Sequence, residues 1–331
     1  MININTNLAL TSLSALLAST CIMCGFGERA IANKEDTIVK SGKELRVKGQ
    51  YYIPIKEVSG LALVHSSSNS IDLYAIGDAS YDIVQFSLKG SSHNVSIDKR
   101  NVADTINKNS KDSSQWEAIA ADGKDNICIL AEVSSKIFCL TSDLNKERSH
   151  FKLDVSSIKS LKRLWDKKPN SRGEGMILMK KGHILLLKEK KPSLLVEFGP
   201  KGDAPLGYDK DTLLQNGTEF DIPRSDNLVA LKTWEFSKSL ADLAKDASDI
   251  TVGPDQHVYI LSDENKVLIR LEEFLKPDEA KVHASAYWKL PKQIEHSEGL
   301  VIDNEMHPWV SCDIKQKDRP NLFHLTPIDA S

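Results

Sequence analysis

Aromatic residues make up only 6% of the 331-residue chain, and neither sign of charge is in excess: 43 Lys and Arg face 46 Asp and Glu, for a formal net charge of −3. So balanced a composition gives no electrostatic argument for a nucleic acid or an anionic membrane as partner. Five cysteines are too few for a disulfide-built scaffold, and 17 Gly with 12 Pro are ordinary levels that exclude a collagen-like chain. Beyond Phe26 no apolar run is long enough to cross a bilayer. Several catalytic signatures are missing as well. There is no Gly-x-Ser-x-Gly elbow, no His-Glu-x-x-His, no phosphate-binding Gly-Lys loop and, beyond residue 32, no Cys-x-x-Cys. What remains, at 40% hydrophobic and 27% charged residues, is a globular chain of one large domain or two ordinary ones.

The one long apolar run is Leu8 to Phe26, without charge, followed by Glu28, Arg29 and the small-residue triplet Ala30-Ile31-Ala32. It reads as an export signal over 1–32, cleaved after Ala32, which leaves 33–331 as a single domain that is periplasmic or secreted. An uncleaved anchor is one alternative. A lipoprotein attached through Cys21 is the other, although Thr20 and the position of Leu17 fit such a site poorly. The mature chain has no membrane span, is expected as a monomer, and keeps Cys128, Cys139 and Cys312. Cys128 and Cys139 lie in two strand-like runs about the turn Val133-Ser134-Ser135, which sets them opposite each other. Directly opposed strand cysteines are expected as apolar thiols rather than a bridge.

Five segments repeat one plan. Each opens on a small or acidic residue entering a short apolar strand, at Ser59, Glu117, Glu174, Asp249 and Glu298. A second strand then ends on an acid, at Asp78, Glu132, Glu189, Asp263 and Asp313, and a third follows after a short polar turn. The openings lie 58, 57, 75 and 49 residues apart, and the distance from first position to second is 19, 15, 15, 14 and 15. Units of three or four antiparallel strands repeated at that period make an all-β fold, the β-propeller, rather than a sandwich. About 300 mature residues at roughly 50 per unit predict six blades. The sixth is expected from Glu44 to Ile55 with a degenerate set between Leu206 and Trp234; five blades with an elaborate insertion is the alternative. Phe236, Leu240, Leu243, Ala244 and Ala247 follow Ser237 at the spacing of a short helix.

Nine of those ten repeated positions are Asp or Glu, and packing alone does not ask for that. In a propeller the first strand starts, and the second ends, on one face, so both sets ring the same mouth of the central channel. Converging carboxylates repel, and either they bind protons or a cation neutralises them. Oxygen ligands without a His or Cys pair favour a hard ion, and Ca2+ accepts loose sets of six to eight oxygens. The expected ligands are Glu117, Glu174, Asp249 and Glu298, with Asp78, Glu132, Glu189, Asp263 and Asp313 as a second acidic ring. The bland reading is that these acids cap turns or pair with Arg172, Lys188 and Lys190. His296 lies two residues before Glu298 and is the one candidate base or extra ligand near this mouth; His183, His257 and His307 begin second strands and fall on the other face as turn residues.

The strings Glu-Gly-Leu-Val-Ile-Asp at 298–303, Leu-Leu-Lys-Glu-Lys-Lys-Pro at 186–192 and Asp249-Ile250-Thr251-Val252, with Tyr259 to Glu264 after it, resemble the SdiA-regulated, YjiK-like family of exported bacterial proteins. The resemblance runs roughly from Val58 to Leu325. It implies a β-propeller similar in layout to phytase-like esterase propellers, with calcium at the axis. Ser59, the Ile250 that replaces a Gly after Asp249, and the long interval from 174 to 249 depart from the pattern. Two functions are expected. One is a non-catalytic binding protein of the cell envelope, holding a small molecule, an envelope component or a protein at a calcium-stabilised face. The other is a Ca2+-dependent hydrolase of a phosphoester or lactone, with His296 or a spare acid such as Asp263 or Asp313 as base. No clustered Arg stands near these loops, which ranks binding first.

Overall fold

Strands buried on both faces read as unbroken apolar runs rather than as alternating ones, and Ile184–Lys188 shows why. Ile184 and Leu186 pack to one side, with Cys128 and Leu130, whereas Leu185 and Leu187 pack to the other, with Ile250 and Ile260. Successive side chains of a strand point to opposite faces, so a sheet standing between two others must be apolar throughout. The computed structural model describes residues 39–90, 94–188, 192–314 and 319–329, and the inner strands of its sheets are largely built this way.

Five four-stranded antiparallel units follow in order. Unit one is Val58–Ser67, Ser70–Gly77, Asp82–Lys89 and Asn94–Asn101. Unit two is Trp116–Ala121, Asn126–Ala131, Lys136–Thr141 and Glu147–Asp154. Unit three is Gly175–Leu178, Ile184–Lys188, Leu194–Gly199 and Asn227–Phe236. Unit four is Ala247–Val252, Val258–Ser262, Val267–Leu271 and Ala284–Lys289. Unit five takes Ser297–Ile302, Pro308–Cys312 and Leu322–Leu325 from the end of the chain and Val47–Tyr51 from its beginning. The first strands stand side by side in sequence, and the fifth packs against the first, so the array closes into a propeller. Each of the five hydrophobic clusters fills one gap between neighbouring units.

The expectation of a sixth unit is corrected here. Residues 44–55 supply the outer strand of unit five, because its last segment, Leu322–Leu325, leaves an edge to be paired. Residues 227–236 are the outer strand of unit three, and 200–226 form an insertion on the face opposite the acid positions. That insertion is tied down by Gly217 N donating to the Asp122 carbonyl at 2.7 Å and Phe220 N to Asp122 Oδ2 at 2.9 Å. His183 serves it too. Fully buried, it holds Glu197 Oε1 at 2.6 Å, and Glu197 in turn accepts the Leu206 and Gly207 amides, so this His is more than a turn residue. Cys128 and Cys139, opposed in register as expected, are bridged rather than free thiols; their Cα atoms are 4.1 Å apart, the separation of a closely spaced antiparallel pair. Cys312 is free and buried.

The short helix after Ser237 is present as α2, Lys238–Leu243, with Ser237 Oγ accepting the Leu240 N–H. A longer helix precedes it in the chain: α1, Lys159–Lys167, joins units two and three and buries Leu161 and Trp165. Among the described residues no helix is long and apolar enough to cross a membrane.

One buried side chain reinforces ring closure at the junction of the two chain ends. Asn321 Oδ1 accepts the Ile53 N–H at 2.8 Å, and Asn321 Nδ2 donates to the Ile53 carbonyl at 3.0 Å. Asn321→Ala leaves the buried Ile53 N–H without a partner and the Ile53 carbonyl with only the Ile55 N–H, at a cost of about 2 kcal/mol. Urea unfolding should show that loss as a lower midpoint at unchanged slope.

Candidate functional site

The same backbone irregularity recurs where the first strand begins in four of the five units. Register shifts fall between Val58 and Gly60, Trp116 and Ala118, Ala247 and Asp249, and Ser297 and Gly299. The skipped residues are Ser59, Glu117, Ser248 and Glu298, and a bulge of this kind re-aims the extra side chain. In unit three Glu174 stands just before the strand, its N–H bonded to the Leu187 carbonyl at 3.0 Å. Two residues before the bulge, the backbone turns back: Glu57, Gln115 and His296 have φ of 50°, 54° and 51°. The carbonyls of Glu57, Gln115, Asp246 and His296 accept the N–H of Asp78, Glu132, Asp263 and Asp313 at 2.8–3.1 Å. This repeated bond stitches the end of each second strand to the start of the first, and so brings the two acidic sets to one mouth.

The mouth is a cavity of about 480 Å³ lined, among the described residues, by nine carboxylates and by no Lys, Arg or His. Glu117, Glu174 and Glu298 of the first set line it, as do Asp78, Glu132, Asp263 and Asp313 of the second; Glu189 lies outside the described residues. Glu57 and Asp246, which sequence reasoning did not select, complete the nine. His296 is exposed and is not part of the lining. Neither cation proposed as a partner for these acids, Arg172 or Lys188, lines the cavity. The Arg172 guanidinium faces the carbonyls of Trp165 and Val133, and Lys188 Nζ the carbonyl of Pro192; Lys190 is outside the described residues.

Asp249 does not line the mouth. It occupies the position held by Gly60, Ala118, Gly175 and Gly299 in the other units, where neighbouring first strands meet. A Cβ on Gly175 would lie 2.5 Å from Ile250 N, and one on Gly299 would lie 2.8 Å from Leu61 N. In unit four the larger side chain fits by reaching across the gap: Asp249 Oδ2 accepts Leu300 N and Oδ1 accepts Ile250 N, both at 2.7 Å. The residue in the bulge is Ser248. A signal for it exists in the sequence, since the spacing of 15 found from 117 to 132 and from 298 to 313 leads back from Asp263 to Ser248.

The second ring also couples units. The Glu132 carboxylate accepts the backbone N–H groups of Arg172 and Gly173, and Asp263 Oδ1 accepts Ser297 N at 2.8 Å, Ser297 Oγ at 3.1 Å and Lys266 Nζ at 2.9 Å. Against burial, which favours the neutral form, the Ser297 N–H and the Lys266 ammonium hold Asp263 below the usual carboxylate range. Asp78 goes the other way. Burial, a hydrogen bond shared with Glu57 and the charges of Glu57 and Asp313 push it up to about 7. Burial also pushes Asp249 well above the ordinary range, against the pull of the Leu300 and Ile250 amides.

Two buried oxygens in this wall have no partner, Asp78 Oδ1 and Ser248 Oγ, and Ser248 is only 5% exposed. The donor set, all oxygen and strongly anionic, fits a hard cation. Among the described residues no three His, Cys, Asp or Glu side chains draw together as a metal cluster, so the carboxylates ring the cavity without meeting at its centre. The far end of the channel is a smaller cavity of about 270 Å³, walled by aliphatic residues of the five first strands and covered by Leu213 to Asn216 of the insertion.

The model of the SdiA-regulated family matches residues 35–325 of the chain. No curated protein matches. Among solved structures, the calcium-binding protein regucalcin from Agrobacterium tumefaciens str. C58 is 10% identical, with 88% of this chain and 96% of that one covered and a TM-score of 0.45. A luciferin-regenerating enzyme is 10% identical over 84% and 92%, with a TM-score of 0.42. A streptogramin B lyase is 11% identical over 85% and 97%, with a TM-score of 0.40.

The elevated Asp78 carboxyl makes a pH signature. Its folded value lies above the unfolded one of about 3.9, so between the two the folded state holds more protons and stability falls as pH rises from about 4 to about 7. In chelator, Asp78→Asn should remove that fall and leave the variant the more stable at neutral pH. Thermal melts of both proteins across this range check it, and equal slopes would refute it.

Proposed function

The chain belongs to the SdiA-regulated family, and we propose that its acidic mouth binds Ca2+ and thereby forms the binding face of an exported, non-catalytic protein. What supports this reading is the cavity wall itself. Among the described residues nine carboxylates share one opening without a Lys, Arg or His in its lining, and the buried hydroxyl of Ser248 in the same wall has no partner. Glu117, Glu174 and Glu298 are the first ligands to consider, since each sits at the same structural position of its unit, and water completes the shell of an ion that tolerates six to eight oxygens. The bound ion offsets the mutual repulsion that the Asp78 and Glu57 pair relieves by holding a proton. Its remaining coordination sites would take an oxygen of a small molecule, an envelope component or a protein. A hydrolase would need a base beside that oxygen: His296 stands outside the lining, Asp263 is engaged by Ser297 and Lys266, and Asp313 is the remaining acid candidate that lines the cavity.

Calcium should therefore raise the melting temperature, by about 3 kcal/mol of added stability at a hundred times its dissociation constant. Mg2+, with its stricter octahedral demand, should do so poorly. Glu174→Gln should weaken the calcium response while keeping the fold, whereas Asp249→Asn should lower stability and keep the response. A melting temperature indifferent to calcium in the parent protein would refute the reading.

Export belongs to the same reading and rests on the run from Leu8 to Phe26 with Ala30-Ile31-Ala32, which lies outside the described residues. N-terminal sequencing of the mature protein should begin at Asn33. An intact Met1 or a lipid-modified Cys21 would overturn it.

A further inference from the structure

The connections between units are electrically lopsided. Strands alternate in direction, so the fourth strand of every unit ends on the face where the first begins, and the connections between units lie around the acidic cavity. Four of these connections, 52–57, 102–115, 237–246 and 290–296, each carry as many acids as Lys and Arg. The fifth, 155–173, carries Lys159, Lys162, Arg163, Lys167, Lys168 and Arg172 against Asp166 alone.

That connection contains α1, and its placement is firm. Leu161 and Trp165 are buried, Trp165 Nε1 donates to Ser135 Oγ at 2.9 Å, and the Ser135 N–H is bonded to the carbonyl of the cavity residue Glu132 at 2.9 Å. Asn170, two residues after Lys168, is itself part of the cavity wall. With its apolar side spent on the protein, α1 turns mainly charge outward: Lys159, Lys162, Arg163, Lys167 and, just past its end, Lys168 are exposed, and Lys162 alone of the five is paired, with Asp166. Nine helical residues spread these charges over about 14 Å. No pocket gathers them about a single phosphate. The shape asked for is an extended negative surface.

We propose that this face docks on an anionic lipid surface, with the cations of α1 against the headgroups and calcium in the mouth bridging the acidic side of the face to the same headgroups. The bridging half rests on the calcium reading above; the helix half does not. An uncharged mouth would have left the balanced connections indifferent to a membrane, and an acidic mouth without its ion would repel one. Leu161 and Trp165 are held inward, so the contact is electrostatic and weakens with salt.

Vesicles of phosphatidylglycerol in phosphatidylcholine, with pure phosphatidylcholine as reference, test this by co-sedimentation of the whole mature protein at fixed ionic strength. Binding is expected to the anionic vesicles only, and to rise with free calcium. The triple variant Lys159→Gln, Lys167→Gln, Lys168→Gln should lose roughly a hundredfold in affinity, about fivefold per charge, while keeping the parent's melting temperature with and without calcium. An unchanged affinity of the triple variant overturns the proposal, and so does binding to soluble polyphosphate without binding to vesicles. Vesicle binding that ignores calcium and needs α1 upholds the helix half and refutes the bridge. A calcium shift of the melting temperature with no vesicle binding refutes this proposal and leaves the calcium reading standing.

Discussion

Closure of the ring is the constraint on which everything else depends. Each unit presents two apolar faces, and neither can be buried by the unit itself. Only a neighbour on both sides removes them from water, and for the first and last units that neighbour is each other. The chain meets the requirement by mixing its ends, with Val47–Tyr51 completing the sheet that Leu322–Leu325 would otherwise leave as an open edge. Tyr51, Phe86 and Trp309 then stack at the same junction, Tyr51 and Trp309 with ring centres 5.7 Å apart, so the pairing and the core close together.

Closure also explains why chemistry collects at one mouth. Five first strands crowded about an axis need small residues where they touch, and Gly60, Ala118, Gly175 and Gly299 supply them. The residue just before is forced out of register by a bulge and aimed at the opening, which costs no packing and leaves its identity free. Two Glu and two Ser use that freedom in the four bulged units, and Glu174 takes the matching place just before the strand of unit three. The second-strand acids are less free. Glu132 and Asp263 each accept backbone amides of the following unit, so they fasten the ring as well as charge its mouth. The bland reading of the repeat, acids as structural caps, holds for these two even where they face the cavity.

The repeat was legible because burial on both faces writes apolar runs into every strand and because the mouth repeats one charge type at a constant interval. What escaped the sequence has specific causes. The fourth strand of unit five comes from the far end of the chain, and no local pattern in residues 47–51 announces a partner at 322–325. Asp249 took the place of Ser248 because an acid was expected in the bulge, whereas the bulge accepts any side chain and the small position next to it had exchanged a glycine for a carboxylate that can reach two amides. Helix α1 begins at Ile158, which offers no capping side chain, so the usual start signal is missing even though Ile158, Leu161 and Trp165 are spaced as one face. The Cys128 and Cys139 register was legible and their bond was not, since a closely spaced pair brings its sulfurs within reach where a wider one does not.

Net charge hid the most consequential asymmetry. A total of −3 suggests a neutral surface, yet the fold sorts its charges, sending acids to the axis through the bulges and the second strands and gathering unpaired cations on one connection. Opposite charges so near each other would ordinarily form ion pairs and cancel. The exposed cations of α1 are kept from doing so, because Trp165 pins the helix to Ser135 and the Arg172 guanidinium is held by the carbonyls of Trp165 and Val133. The separation is a property of the backbone, held by buried contacts, and it persists whatever occupies the mouth. On the docking proposed above, such a face would discriminate by charge arrangement alone, because a ligand would have to offer negative charge over α1 and tolerate or bring a cation over the axis at the same time.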